Sequence, residues 1–276
     1  MTLAYDLKKV CQDIRCDILL CIGHLGVGHV GGCLSLAELL AVLYFEELNI
    51  DPAHPDMPGR DRVICSKGHA GPAMYAALAN RGYFDRAELL TLNQGGTHLP
   101  SHCDMRLTTG IDMPAGSLGQ GFSCAVGAAL GSKLENDGAR VYAIVGDGES
   151  QEGQIWEAAM FAAAKKLDNL IGVTDYNKMQ IDGYVSEVND IAPLGEKWAA
   201  FGWNVIDVAD GNDLEQVSAA VKAAKANRGS GKPTMIILNT RKGCGVRWIE
   251  ELGPASHSTN INDEQAAAAI AEIRGV

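Results

Sequence analysis

Several absences narrow the class of this 276-residue sequence. It has no run of 18 apolar residues, which excludes a membrane-spanning helix. Its first residues, Met1 to Lys9, carry charge where a secretory signal needs an apolar stretch. Base is scarce: 23 Lys and Arg stand against 34 Asp and Glu, a net charge of −11. Phosphate backbones and anionic membranes repel so acidic a chain, so neither is expected as a partner. An anion bound here needs a local device, such as a metal ion or backbone amides. No Cys-x-x-Cys pair occurs among the eight cysteines. Cys11, Cys16 and Cys21 sit five apart in an apolar stretch, and most others have small or apolar neighbours. Core thiols in a reducing compartment are the simpler reading than zinc or disulfides. A soluble, cytoplasmic protein is expected.

What is present is a globular composition, with 47% hydrophobic and 21% charged residues, which excludes disorder. The length suffices for a substantial core without staples. Helical spacing of Leu7, Val10, Ile14, Leu19 and Ile22 predicts a helix over residues 1–22. A glycine-rich turn follows to Gly32, and Ser35 with Glu38 forms a capping-box pattern for a second helix. Arg62 to Cys65 is a strand candidate, and residues 70–82 a helix. Residues 94–120 are loop-like, and a loop of that length inside a compact domain is usually functional.

The second half alternates. Strands are expected at Val141–Val145, Leu170–Thr174, Val205–Val208 and Met235–Leu238, with helices over 154–166, 213–227 and 263–273. Continuous apolar strands separated by helices predict an α/β fold, a parallel sheet covered by helices on both faces. No repeat, linker or internal boundary interrupts it, so residues 1–276 are expected to form a single domain.

The first of these strands runs into Gly146-Asp147-Gly148-Glu149-Ser150, and the next ends in Asp175-Tyr176-Asn177-Lys178-Met179. Carboxyl ends of parallel strands are where open α/β sheets bind ligands. Adjacent strands would set Asp147 beside Asn177. A carboxylate, an amide oxygen and a nearby carbonyl suit Mg²⁺, which favours few protein ligands together with phosphate oxygens and water. Imidazoles sit in three further motifs: Gly28-His29-Val30-Gly31-Gly32, Ser66-Lys67-Gly68-His69-Ala70 and Ser101-His102. Pro114-Ala115-Gly116-Ser117-Leu118-Gly119-Gln120-Gly121 is a glycine-rich turn entering an Ala/Gly-rich helix.

Gly146-Asp147-Gly148 with Asn177 resembles the diphosphate-binding motif of thiamine-diphosphate enzymes. Together with the histidine motifs it resembles the transketolases, specifically an N-terminal half made as a separate subunit, over residues from about 8 to 260. The resemblance implies a diphosphate-domain fold, with thiamine diphosphate and Mg²⁺ as cofactors. Asp147, Asn177 and the Met179 carbonyl would hold the metal. His69, Gly116, Ser117, Leu118, Gly146, Gly148 and Glu152 would contact or flank the cofactor, Glu152 close to a subunit interface. His29, His102 and His257 would hydrogen-bond sugar hydroxyls and relay protons. His24, His54 and His98 are expected to be structural, and Asp182 a turn residue.

The implied reaction is transfer of a two-carbon ketol unit from a ketose to an aldose, phosphorylated or not. The family's aminopyrimidine-binding glutamate lies in another domain, so the implied partner is a C-terminal subunit with pyrimidine-binding and C-terminal domains, in an α2β2 heterotetramer. The alternatives are a subunit of another thiamine-diphosphate enzyme (deoxyxylulose-phosphate-synthase-like or 2-oxoacid dehydrogenase), a non-catalytic module retaining the fold, and a nucleotide-binding protein. The last lacks both a Walker lysine pattern and a Gly-x-Gly-x-x-Gly opening a helix.

Overall fold

A computed structural model describes residues 5–275. Its centre is a five-stranded sheet of β1 (Arg62–Cys65), β2 (Val141–Gly146), β3 (Leu170–Asp175), β4 (Asn204–Val208) and β5 (Thr234–Leu238). All neighbours pair in parallel, in the order β1-β2-β3-β5-β4. β2 and β3 are buried at every position. Their side chains still alternate between two apolar layers: Tyr142 and Ile144 enter one, Val141, Ala143 and Val145 the other. That is why these strands are continuously apolar rather than half polar.

Helices α1 (Leu7–Leu25), α2 (Ala37–Val42) and α3 (Gly71–Arg81) cover the first face. Helices α4 (Gln120–Glu135), α5 (Gly153–Ala164) and α6 (Leu194–Ala200) cover the second. Two later helices, α7 (Leu214–Ala226) and α8 (Asp263–Arg274), return to the first. The second layer centres on Trp198, whose ring lies 4.9 Å from both Trp156 and Trp203.

Three expectations need correcting. The first helix starts at Leu7, capped by Asp6, and continues to Leu25, where Gly26 takes a left-handed φ of 92°; residues 1–4 of the expected span lie outside the described residues. Ser35 and Glu38 do not form a capping box. Leu36 occupies the cap of α2, and the Ser35 hydroxyl instead donates to the buried Asp175 carboxylate at 2.7 Å. Glu38 turns to Arg15 at 2.7 Å. Buried charges outcompete a local capping pattern for these groups. Helix α6 was not anticipated, because only Leu194 and Trp198 of its seven residues are buried. Residues 92–119 carry neither helix nor strand, as the sequence suggests. All eight cysteines are free and all but Cys124 are buried.

Candidate active site

Strand register sets the site. Gly146 pairs with Asp175, Asp175 with Leu238, and Cys65 with Ile144, so the strands end almost level. The residues just beyond them converge at one edge. Asp147 is 2% exposed. Its Oδ1 accepts from the Gly148 amide at 2.8 Å and its Oδ2 from the Lys178 amide. Lys178 holds a φ of 68°, uncommon for a side chain larger than glycine. Among the described residues no Lys or Arg side chain pairs with Asp147. Burial, then repulsion from Asp175, pushes its pKa up to about 7.

Asn177 stands on the neighbouring strand end, also buried. Its Nδ2 donates to Asp175 at 3.1 Å, and its Oδ1 accepts from the Met179 amide at 3.2 Å. Met179 pairs with Tyr184 across a two-residue hairpin. Asp147, Asn177 and Met179 all line one cavity of about 370 Å³.

The four candidate histidines line the same cavity, although their positions span residues 29 to 257. The His29 ring lies 5.3 Å from His69, 6.0 Å from His102 and 5.2 Å from His257. His69 and His257 are 4.9 Å apart. Burial, then the nearby Lys67 charge, lowers the His69 pKa to about 2. Burial and Lys242 lower that of His257 to about 3. Burial and then His102 lower that of His29. These three imidazoles are therefore neutral at pH 7, each with one donor and one acceptor nitrogen. The Ser101 hydroxyl lies 3.0 Å from His102 Nδ1.

Gly116, Leu118, Gly146, Gly148 and Glu152 line the cavity too, whereas Ser117 is exposed and does not. Glu149 holds the 116–119 turn against β2. Its buried carboxylate accepts from the amides of Gly119 at 2.8 Å and Gly146 at 2.9 Å, and from the Ser66 hydroxyl. His24 and His54 face carboxylates outside the cavity, those of Asp263 and Asp51. Asp182 lies on the lining beside Ile181, which is 68% exposed.

The sequence reading missed two cations of the lining, Lys67 and Lys242. Lys67 is buried and pairs with Asp175 at 2.5 Å. Lys242 lies 3.3 Å from His257 Nδ1, and burial lowers its pKa to about 8. Lys242 follows β5 closely, as Asp147 follows β2. The strand-end argument applied to Thr240-Arg241-Lys242-Gly243 would have found it.

Residues 7–273 match the family model described as "Transketolase, thiamine diphosphate binding domain". The chain is 56% identical over 268 residues to the 6-deoxy-6-sulfo-D-fructose transketolase subunit SqwG of Clostridium sp. (strain MSTE9), covering 97% of this chain and 96% of that one. It is 39% identical to one subunit of the apulose-4-phosphate transketolase of Actinobacillus succinogenes, covering 95% and 94%. Among solved structures, a transketolase from Leishmania mexicana superposes with a TM-score of 0.91 at 30% identity. That alignment covers 98% of this chain and 41% of the other, so the chain spans about two fifths of that protein.

Proposed function

The chain belongs to the transketolase family, and from that premise we propose that it is the thiamine-diphosphate-binding subunit of a two-chain enzyme moving a two-carbon ketol unit from a ketose to an aldose. The observation that carries this reading is the convergence of Asp147, Asn177 and four histidines on one cavity. Full-length similarity to proteins named as transketolase subunits favours it over a synthase, a dehydrogenase or a non-catalytic module.

The residues fit Mg²⁺ on a diphosphate. Asp147 is a buried carboxylate with amide partners and, among the described residues, no paired side-chain cation, an arrangement that a divalent ion would complete. Among the described residues no three His, Cys, Asp or Glu side chains gather for a metal. The proposed set, Asp147, Asn177 Oδ1 and the Met179 carbonyl, is of another kind: few protein oxygens, with phosphate and water completing the shell. Gly146 and Gly148 keep the edge free of side chains. Gly116, Leu118 and His69 line the cavity and would contact the diphosphate or the ring region, and Lys242 would add a cation for the diphosphate charge. Ser117 would contribute through its backbone only, and Glu152 would meet the partner at the rim.

Thiamine diphosphate, when bound, supplies a nucleophilic carbon and an electron sink for making and breaking a bond beside a carbonyl. The chain's own residues bind, orient and manage protons. His29, His102 and His257 would hydrogen-bond sugar hydroxyls and relay protons with them. Residues 1–276 act as one domain. The partner is a C-terminal subunit that holds the aminopyrimidine ring, in an α2β2 assembly located in the cytoplasm, where buried free thiols persist.

The first donor to try is 6-deoxy-6-sulfofructose, on the strength of the 56% identity. The test is a panel of that ketose, fructose 6-phosphate, xylulose 5-phosphate and apulose 4-phosphate with the reconstituted pair. Turnover of one of them with dependence on thiamine diphosphate is expected. No ketol transfer from any of them would count against the proposal.

A further inference from the structure

We propose that Asp175 is a positioning residue, whose buried carboxylate sets which end of the Asn177 amide, oxygen or nitrogen, faces the metal position. The inference rests on the Mg²⁺ reading above. Asp175 is fully buried and does not line the cavity, so it acts through another side chain. Its Oδ2 accepts from Ser35 at 2.7 Å, Lys67 Nζ at 2.5 Å and Asn177 Nδ2 at 3.1 Å, and its Oδ1 accepts from the Thr240 hydroxyl.

An ionised carboxylate only accepts, so Asn177 must turn its NH2 group towards it. On the other side of the amide the Met179 N–H only donates, and it meets Oδ1. Both neighbours demand the same orientation. An Asn177 amide turned over would present NH2 to a cation, which it cannot ligate. Asp175 is itself immobile, because Lys67 is 2% exposed and donates to the Gly32 carbonyl at 2.8 Å as well. Lys67 Nζ and the hydroxyls of Thr240 and Ser35 all donate to the carboxylate, so both of its oxygens act as acceptors. Outer partners of this kind are worth about 10–100-fold in metal affinity.

The same carboxylate, at the end of β3, also ties the segments that follow β1 and β5 to Ser35, so the test must separate orientation from cross-bracing. Simple Asp175→Asn is uninformative, because it strands the buried Lys67 charge. The useful pair is K67M/D175N and K67M/D175L. Both are uncharged there and similar in volume, but only the Asn has an oxygen for Asn177 Nδ2; its NH2 can face the Thr240 hydroxyl, which accepts. Mg²⁺ is titrated calorimetrically into each variant in the presence of saturating thiamine diphosphate and the C-terminal partner. K67M/D175N should bind Mg²⁺ about 10–100-fold more tightly than K67M/D175L. Equal affinities in the two doubles would overturn the positioning role. Asp147→Ala is the control: weakened Mg²⁺ binding there, with equal doubles, sinks the positioning role alone. Wild-type affinity in Asp147→Ala would sink the metal reading and this inference together. A measurement on the unmodified chain covers the case of a double that does not fold. The Asn177 side-chain amide protons should exchange slowly in metal-free protein, and exchange as fast as that of an exposed asparagine would refute the proposal.

Discussion

Nζ of Lys242 lies 3.3 Å from Nδ1 of His257. An ammonium only donates, so Nδ1 must offer its lone pair and the ring proton sits on Nε2. The lysine thus selects the tautomer and helps to hold the imidazole neutral. Lys242→Met should raise the His257 pKa from about 3 without restoring 6.5, because burial, the larger cause, remains. Ring nitrogen shifts followed through a pH titration would report it. An unmoved titration would mean that Lys242 has no hold on this ring.

Acid sensitivity follows from the same cluster. His69 and His257 have folded pKa values of about 2 and 3 against 6.5 when unfolded. Between these limits the unfolded chain binds more protons, so stability falls as the pH drops below 6.5. Asp147 acts in the opposite sense in metal-free protein. Its pKa, raised to about 7, contributes stability at low pH that is lost as the pH rises through 7. Burial also raises the pKa values of Asp112 and Glu149, which act as Asp147 does, so the imidazoles are tested by difference. The fall in urea midpoint from pH 7 to pH 5 should be smaller in metal-free His69→Ala than in the unmodified chain, and an equal fall would contradict the His69 assignment.

His29 sits where three other imidazoles surround it, and it carries little of the core. His29→Ala should leave thiamine diphosphate affinity within a few-fold and lower turnover by about 10²–10⁴-fold, the scale of a lost proton-transfer group. Wild-type turnover in the reconstituted variant would make His29 structural.

A Cβ at Gly68 would stand 2.4 Å from the Ala115 carbonyl oxygen and 2.7 Å from its carbon. Both are backbone, which yields little. Gly68→Ala should cost about 1–3 kcal/mol, as overpacking does. It should also weaken cofactor binding by separating the His69 turn from the 116–118 turn. A melting curve and a cofactor titration check the two halves independently, and unchanged values in both would show that the turns have slack.

The sheet was legible because β2, β3 and β5 are apolar throughout, a pattern that only a sheet covered on both faces requires. Asp147 and Asn177 were legible because they stand one and two residues beyond such strands. Ser35 misled because its capping pattern is local, whereas the acceptor that claims its hydroxyl, Asp175, is 140 residues away. Lys67 and Asp175 form a pair across 108 residues, and neither position signals it alone. The convergence of His29, His69, His102 and His257 followed from the resemblance to the transketolases, because no spacing rule brings positions 29 and 257 together.

The central claim is that this chain carries the cofactor-holding part of a site that a second subunit completes. An exposed apolar residue on the cavity lining fits that claim: Ile181 is 68% exposed. The most direct measurement is ketol transfer by this chain, by its C-terminal partner and by the mixture, with thiamine diphosphate and Mg²⁺ present throughout. The account predicts no transfer by either chain alone and transfer by the mixture, which should elute as a larger complex. Robust transfer by this chain alone would contradict it.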